Sequence, residues 1–410
     1  MLIPTRIYVS YREDYPVTLA LIGINLLVFI PVLLTPCQGL MNLFTTYGLV
    51  PASLKLEGFI THMFMHGGIC HIVFNMLFLW LFGKVVESIF GHYRFLLFYF
   101  GGGITAALTH ILICHLTGVG KEIPMVGASG AIAAVLGVFL VRYYFVKIEM
   151  RWFFFFFLYF KIFTFHLKAW VFLLGLWFIP QLIFGLISLG GFSAVAYWAH
   201  IGGFLFGAIL GLKMNLLREA KAEVLYLKGQ DASWTGDQSS RFHLMQSIGA
   251  SPKNIKPRLE LAQSYITAKK YDQAVKEYVE AFKVSYQAGQ IEEALRIYDM
   301  AFTLKHDELI LSQDMEFRVA MLCIKYAHYE LGYLILKKLH RLEPDYPKTE
   351  QLLAKLIFLC SSKLGQSKEA YEYFQELESR YPQSKYIEIF QREMNGVKTQ
   401  LDVPSPKVLS

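Results

Sequence analysis

The sequence predicts an all-α chain in two parts, a polytopic six-helix transmembrane bundle followed by a soluble α-helical repeat domain. Three observations predict it. The 410 residues are 55% hydrophobic and only 17% charged, with a mean hydropathy of +0.40, too apolar for a chain held wholly in water. The apolar residues concentrate in the first half, in long uncharged stretches, whereas Lys, Glu, Asp and Arg recur from residue 213 onward. Beyond Pro257 apolar residues return with helical spacing. The boundaries follow as a membrane domain over 1–215, a linker over 216–256 and a helical domain over 257–410.

Uncharged stretches run from Tyr15 to Leu54, Gly58 to Gly83, Phe95 to Gly120, Ile123 to Val141 and Ala169 to Leu212. A helix needs about 20 residues to cross a bilayer. The first apolar run, Val17 to Thr35 behind Arg6 and Arg12, is long enough to be a retained span rather than a cleaved signal. The last stretch is twice the length of one span and is interrupted at Ser188-Leu189-Gly190-Gly191-Phe192-Ser193, a small-residue turn that divides it in two. Six spans result. The aromatic run Trp152 to Phe160, between Arg151 and Lys161, would cover only about 14 Å as a helix, so it is expected at the membrane interface rather than across it.

Cations mark the alternate connections: Arg6 and Arg12; Lys84 and Arg94; Arg142, Lys147, Arg151, Lys161 and Lys168; Lys213, Arg218 and Lys221. Opposite connections hold only Lys55, Lys121 and, between spans five and six, no Lys or Arg. By the positive-inside rule both termini lie in the cytoplasm, and a bacterial inner membrane is the expected location. The net charge of +7 is therefore read as membrane orientation, with no nucleic acid as partner. Five cysteines, Cys37, Cys70, Cys114, Cys323 and Cys360, lack CxxC spacing and are expected to be buried free thiols.

A polar side chain inside a bilayer costs free energy unless it finds a partner, so such residues mark packing or function. Three places have them. Gly127-Ala128-Ser129-Gly130 opens the fourth span and is followed by Ala131, Ala133, Ala134 and Gly137, small residues that let another helix approach. His200 in the sixth span is followed by Gly203, Gly207 and Gly211, a glycine stripe near the imidazole's own face. Both spans enter from outside, which puts Ser129 and His200 roughly 6 to 10 Å down at 1.5 Å per residue, at matching depth. This holds only if Trp152 to Phe160 does not cross. The third place is the entry to span two, with His66, His71 and Asn75, the last two one helical turn apart and suited to stabilising an oxyanion. A serine is a weak nucleophile until an imidazole takes its proton, so the set is chemically coherent.

Gly127-Ala128-Ser129-Gly130, His66 with His71-xxx-Asn75, and His200-xx-Gly203-xxx-Gly207 resemble the three signature motifs of the rhomboid proteases, over about residues 10–215. The resemblance implies that Ser129 is the nucleophile, His200 the general base, and His71 and Asn75 the oxyanion-stabilising side chains beside the Ser129 backbone N–H. Glu87-xxx-Gly91 also fits the family. Two departures stand out. The outer loop 36–58 lacks the Trp-Arg pair common in bacterial members, and Ala133 stands where many have a ring beside the catalytic histidine, leaving Tyr197 or Trp198 as sequence candidates for that role.

The implied activity is that of an intramembrane serine endopeptidase, cleaving transmembrane segments of single-span proteins near the outer face. With no carboxylate expected in the spans it would work through a Ser-His dyad. The alternative is a non-catalytic membrane adaptor. A transporter or channel is disfavoured by the absence of Asp, Glu, Lys and Arg from the expected spans. No cofactor is implied, and His62 with His66, or His110 with His115, lack the Cys, Asp or Glu neighbours of a metal site.

In the C-terminal half, Tyr271 to Phe282 and Ile291 to Phe302 share the pattern Ala-xxx-Tyr-xx-Ala-Phe, as small-to-large packing of paired helices requires. Asp345-Tyr346-Pro347-Lys348 echoes Arg380-Tyr381-Pro382-Gln383 at a spacing of 35 residues, close to the tetratricopeptide period. The region resembles a degenerate tetratricopeptide array, which implies a protein partner.

Overall fold

The computed structural model describes residues 2–9, 11, 14–156, 159–190, 196–234 and 239–401. The chain divides into two units, Met1–Val224 and Leu225–Ser410. The first contains β1 (Leu2–Ile7), α1 (Pro16–Leu34), α2 (Cys37–Tyr47), α3 (Gly58–Thr61), α4 (Ile69–Phe78), α5 (Lys84–Phe90), α6 (His92–Thr117), α7 (Ser129–Tyr143), β2 (Lys147–Phe156), β3 (Tyr159–Lys168), α8 (Ile179–Ser188), α9 (Tyr197–Lys213) and the start of α10 (Leu216–Trp234). Two π-helical segments, Leu79–Gly83 and Val171–Phe178, join α4 to α5 and lead into α8.

Among the described residues four helical rods are long and apolar enough to cross a membrane: α1, Ile69–Phe90, α6 and Val171–Ser188. The pair α9 and α10, bent by 69°, makes a fifth if counted as one span. The expected six therefore become four or five by length, because α7 has 15 residues and at 1.5 Å each rises only about 22 Å, short of a hydrocarbon core of about 30 Å. Of the turn expected at 188–193, residues 191–193 lie outside the described residues, as do Arg12 among the orienting cations and 157–158 of the aromatic run.

The rod from Ile69 continues past Gly83, where the uncharged stretch ends, and carries Glu87 fully buried. That carboxylate starts α1. It accepts the Val17 N–H at 3.0 Å, the Thr18 N–H at 2.8 Å and the Thr18 hydroxyl at 2.6 Å, satisfying orphan donors at a helix N-terminus and complementing its dipole. The His92 ring meets its other side at 2.7 Å. Nearby, Lys84 lies over the rings of Trp80 at 4.1 Å and Tyr11 at 4.9 Å, a favourable setting for a poorly hydrated ammonium.

The all-α expectation is corrected by a sheet in the order β1-β2-β3, antiparallel throughout, with Leu2 opposite Trp152 and Lys147 opposite Lys168. The Phe-rich run has strong strand propensity and lies in the paired strands β2 and β3 rather than in a helix. Glu149 ties the sheet across strands, accepting from the hydroxyls of Thr5 at 2.8 Å and Tyr8 at 2.9 Å and from Arg151 Nε at 3.2 Å. These bonds hold the Glu149 carboxyl below its ordinary pKa.

Close packing of α7 on α9 forms the centre of this unit. A Cβ at Gly203 would lie 2.1 Å from the Gly130 carbonyl oxygen, one at Gly207 1.9 Å from that of Ala134, and one at Gly137 2.2 Å from that of Phe204. Backbones therefore touch where side chains would normally intervene. Around this contact Phe82, Phe95, Tyr99 and Phe139 are fully buried.

The second unit holds the rest of α10, then α11 (Ser239–Ala250), α12 (Lys256–Thr267), α13 (Tyr271–Gln287), α14 (Ile291–Leu304), α15 (Gln313–Lys325), α16 (Tyr329–Leu342), α17 (Thr349–Ser362), α18 (Ser367–Arg380) and α19 (Lys385–Leu401). The stretch 216–256, expected as linker, is thus largely helical in α10 and α11; its Gly236 lies outside the described residues. Short turns make successive helices into hairpins, and the ends of α12, α13, α15 and α17 use left-handed residues, Lys269, Gly289, Ala327 and Gly365. Ala274, Tyr278, Ala281 and Phe282 of one motif copy and Ala294, Tyr298, Ala301 and Phe302 of the other are all buried. The copies belong to successive helices, with Phe282 and Tyr298 in ring contact at 5.7 Å, so the motif recurs from helix to helix. The Tyr-Pro echoes follow α16 and α18, and Arg380 from the second donates to the Pro344 carbonyl beside the first at 2.9 Å. Fully buried Glu316 accepts from the backbone of Ile310 and Leu311 and from Tyr298 and Lys338. Burial pushes the Lys338 ammonium below its usual pKa, and Glu316 opposes that shift.

Candidate active site

Ser129 is the first residue of α7 and His200 the fourth of α9, and the glycine contacts draw these helix ends together. His200 Nε2 lies 2.7 Å from Ser129 Oγ. Both side chains are half-buried at a cavity of about 610 Å³, lined also by Gly67, Cys70, His71, Asn75, Met125 and Trp177. Among the described residues the lining has no Asp, Glu, Lys or Arg. A proton moving between serine and imidazole would therefore do so without a neighbouring full charge.

On α4, His71 and Asn75 face the same cavity. His71 Nδ1 accepts the Gly67 N–H at 3.3 Å, which leaves Nε2 as the protonated nitrogen and a donor. Asn75 Nδ2 is buried without a hydrogen-bond partner, although a buried amide ordinarily finds one. Gly127, at φ +123°, brings its backbone against these groups, and a Cβ there would be 2.7 Å from His71 Nε2 and 3.6 Å from Asn75 Nδ2. The Gly127 N–H is tied to the His62 carbonyl at 2.8 Å. Ser129, at the N-terminus of α7, adds a backbone N–H that lacks an intrahelical acceptor.

His66 packs edge-on against His71 at 5.1 Å, with Nδ1 3.2 Å from the Phe64 carbonyl. It supports the neighbouring imidazole from behind. Gly130 lies against Ala106 of α6, where a Cβ would come within 2.6 Å. Cys37 and Cys70 are exposed, whereas Cys114, Cys323 and Cys360 are buried, a correction to the expectation of five buried thiols.

Two residues beside His200 escaped the sequence reasoning. The ring against the imidazole is Trp177, at 6.2 Å and 38°, not Tyr197 or Trp198; Tyr197 stacks instead on Phe184. Gln181 Oε1 lies 2.7 Å from His200 Nδ1. Gln181 carried the same signal that singled out His200, a polar side chain within an apolar stretch. Trp177 had no such signal among the many aromatics around it.

A serine hydroxyl bonded to an imidazole beside converging amide and imidazole donors, within a bundle of apolar helices, defines a membrane protein with the constellation of a serine hydrolase. The family model for the Rhomboid domain matches residues 54–216, and the chain belongs to the rhomboid family. It is 40% identical over 81 residues to the rhomboid protease GluP of Bacillus subtilis (strain 168), covering 20% of this chain and 15% of GluP. It is 30% identical over 143 residues to YdcA of the same organism, covering 34% of this chain and 69% of YdcA. Among solved structures, that of the MamA protein aligns at 12% identity over 45% of this chain and 97% of its own, with a TM-score of 0.19.

Proposed function

We propose that the chain is an intramembrane serine endopeptidase, with Ser129 as nucleophile and His200 as general base, acting on a transmembrane segment of a single-span protein. The observation that carries this reading is the 2.7 Å contact of Ser129 Oγ with His200 Nε2, beside the unpartnered amide of Asn75. Ser129 Oγ attacks the scissile carbonyl carbon and its proton passes to His200 Nε2. The carbonyl oxygen becomes an oxyanion held by His71 Nε2–H, Asn75 Nδ2 and the Ser129 N–H. Collapse breaks the C–N bond, and His200 returns the proton to the leaving nitrogen. Water then attacks the acyl ester, with His200 again as base.

A six-span topology with both termini inside is part of the proposal. Its support is a parity argument. Strand β1 pairs with β2, and an open sheet with exposed edges is not stable within lipid, so residues 7 and 147 belong on one side of the membrane. Between them the chain must cross an even number of times. The rods α1, Ile69–Phe90 and α6 make three crossings, and α7 makes the fourth despite its length. The rod Val171–Ser188 and α9 then go out and return, which brings Ser129 and His200 near the outer face. The chain boundary between the units falls within α10, and the repeat unit is the part proposed to bind a protein partner.

The test is cleavage of a transmembrane reporter by reconstituted protein, with Ser129→Ala as control. The expected result is cleavage by the wild type and none by Ser129→Ala, with both proteins inserted. Equal cleavage by the two would remove the assignment.

A further inference from the structure

We infer that Gln181 is a positioning residue for the general base: its amide oxygen selects the His200 tautomer that can accept the serine proton. The inference rests on the protease reading above and deepens it at the same site. A neutral imidazole carries one N–H. For Nε2 to present a lone pair to Ser129, the hydrogen must be on Nδ1, and there it needs an acceptor. Gln181 Oε1, at 2.7 Å, is that acceptor. The opposite amide orientation would present N–H to Nδ1 and put the imidazole hydrogen on Nε2, against Ser129, where the ring could not act as a base.

The residue type suits the surroundings. Among the described residues the cavity lining holds no cation to pair with a carboxylate, so an aspartate or glutamate at this position would be a poorly compensated charge within an apolar bundle. An amide supplies the acceptor without the charge. When His200 takes the serine proton it becomes an imidazolium, and its Nδ1–H bond to Gln181 becomes charge-assisted. The bond is then stronger in the transition state than in the resting site, so its effect belongs in kcat.

Trp177 lies one turn earlier on the same rod, and its ring packs against both His200 and Phe204. The imidazole is thus held by a hydrogen bond and a ring face from a single helix. This gives a physical account of how a chain with Ala133 beside its histidine helix still orients the base.

The experiment is nitrogen-15 NMR of histidine-labelled full-length protein in micelles, with His200→Ala to assign the resonance, alongside reporter cleavage by Gln181→Leu and Gln181→Glu. The expected wild-type result is a His200 ring protonated at Nδ1 and bare at Nε2. Gln181→Leu should lose that preference and lower kcat by about 10- to 100-fold, the range of a hydrogen bond to a charged group, with KM little changed. Gln181→Glu, which keeps an acceptor at the same reach but adds a poorly compensated charge, should keep the Nδ1-protonated ring even where the rate falls. A wild-type ring protonated at Nε2, or a folded Gln181→Leu with wild-type kcat, overturns the inference. If Gln181→Leu does not fold, the wild-type tautomer decides. If Ser129→Ala cleaves like the wild type, the protease reading falls, while the tautomer still decides the role of Gln181.

Discussion

At the scale of residues, Asn75 offers a direct test of the proposed oxyanion site. A buried amide without a partner costs about 1–3 kcal/mol, and a position that only packed would be better served by Leu. If its Nδ2 serves the oxyanion, Asn75→Ala should leave KM nearly unchanged and lower kcat by about 10²- to 10³-fold, read from reporter cleavage at several substrate concentrations. Ser129, His200, His71 and Asn75 were legible in the sequence because a polar group in an apolar span demands a reason, and matching depths supplied one. Gln181 satisfied the same criterion but belonged to no motif. Trp177 was not legible at all, since its place against His200 depends on the helical phase set by the π-helical segment before α8, which a 3.6-residue reading does not anticipate.

At the scale of elements, the α7–α9 contact brings together the proposed catalytic pair. A methyl at Gly207 would lie 1.9 Å from the Ala134 carbonyl oxygen, so the two helices would have to separate. Gly207→Ala should therefore lower stability by about 1–3 kcal/mol, seen as a reduced melting temperature in micelles, and slow fluorophosphonate labelling of Ser129. The repeat unit offers the opposite change. Ala327 holds a left-handed conformation at φ 63° where Gly289 and Gly365 occupy comparable turns. Ala327→Gly should remove strain of about 1–2 kcal/mol and raise the melting temperature of that unit. The glycine stripe and the Ala-xxx-Tyr-xx-Ala-Phe faces were readable because their periods are local. The sheet was not, because β1 finds its partner far along the chain, and no periodicity within either strand announces the pairing.

At the scale of the whole molecule, composition alone divided the chain into a lipid part and a water part. The contact boundary falls at Val224 and Leu225 instead of across a linker over 216–256, because the charged residues there lie on helices α10 and α11. Every group of the candidate site, from Gly67 to His200, belongs to the first unit, and the repeat unit has its own core around Phe282, Tyr298, Leu336 and Phe374. A chain ending at Val224 should therefore still label at Ser129 with a fluorophosphonate, within about threefold of the full-length rate if each unit folds around its own core. Loss of labelling in an inserted, folded truncation would mean that the repeat unit helps to hold the site.

The pairing of β1 with β2 also imposes an order on biosynthesis. Leu2 faces Trp152, so at about 5–20 residues per second the first strand waits on the order of ten seconds for its neighbour to be translated. On the proposed topology four hydrophobic segments are threaded during that interval. A molecule in which one of them failed to insert would have its two strands on opposite faces of the bilayer, and its first strand would stay an unpaired edge open to protease. If that topology holds, the sheet is a latch that closes only on correctly threaded chains, and cleavage of the N-terminal strand in a pulse-chase would report how many nascent chains reach that point.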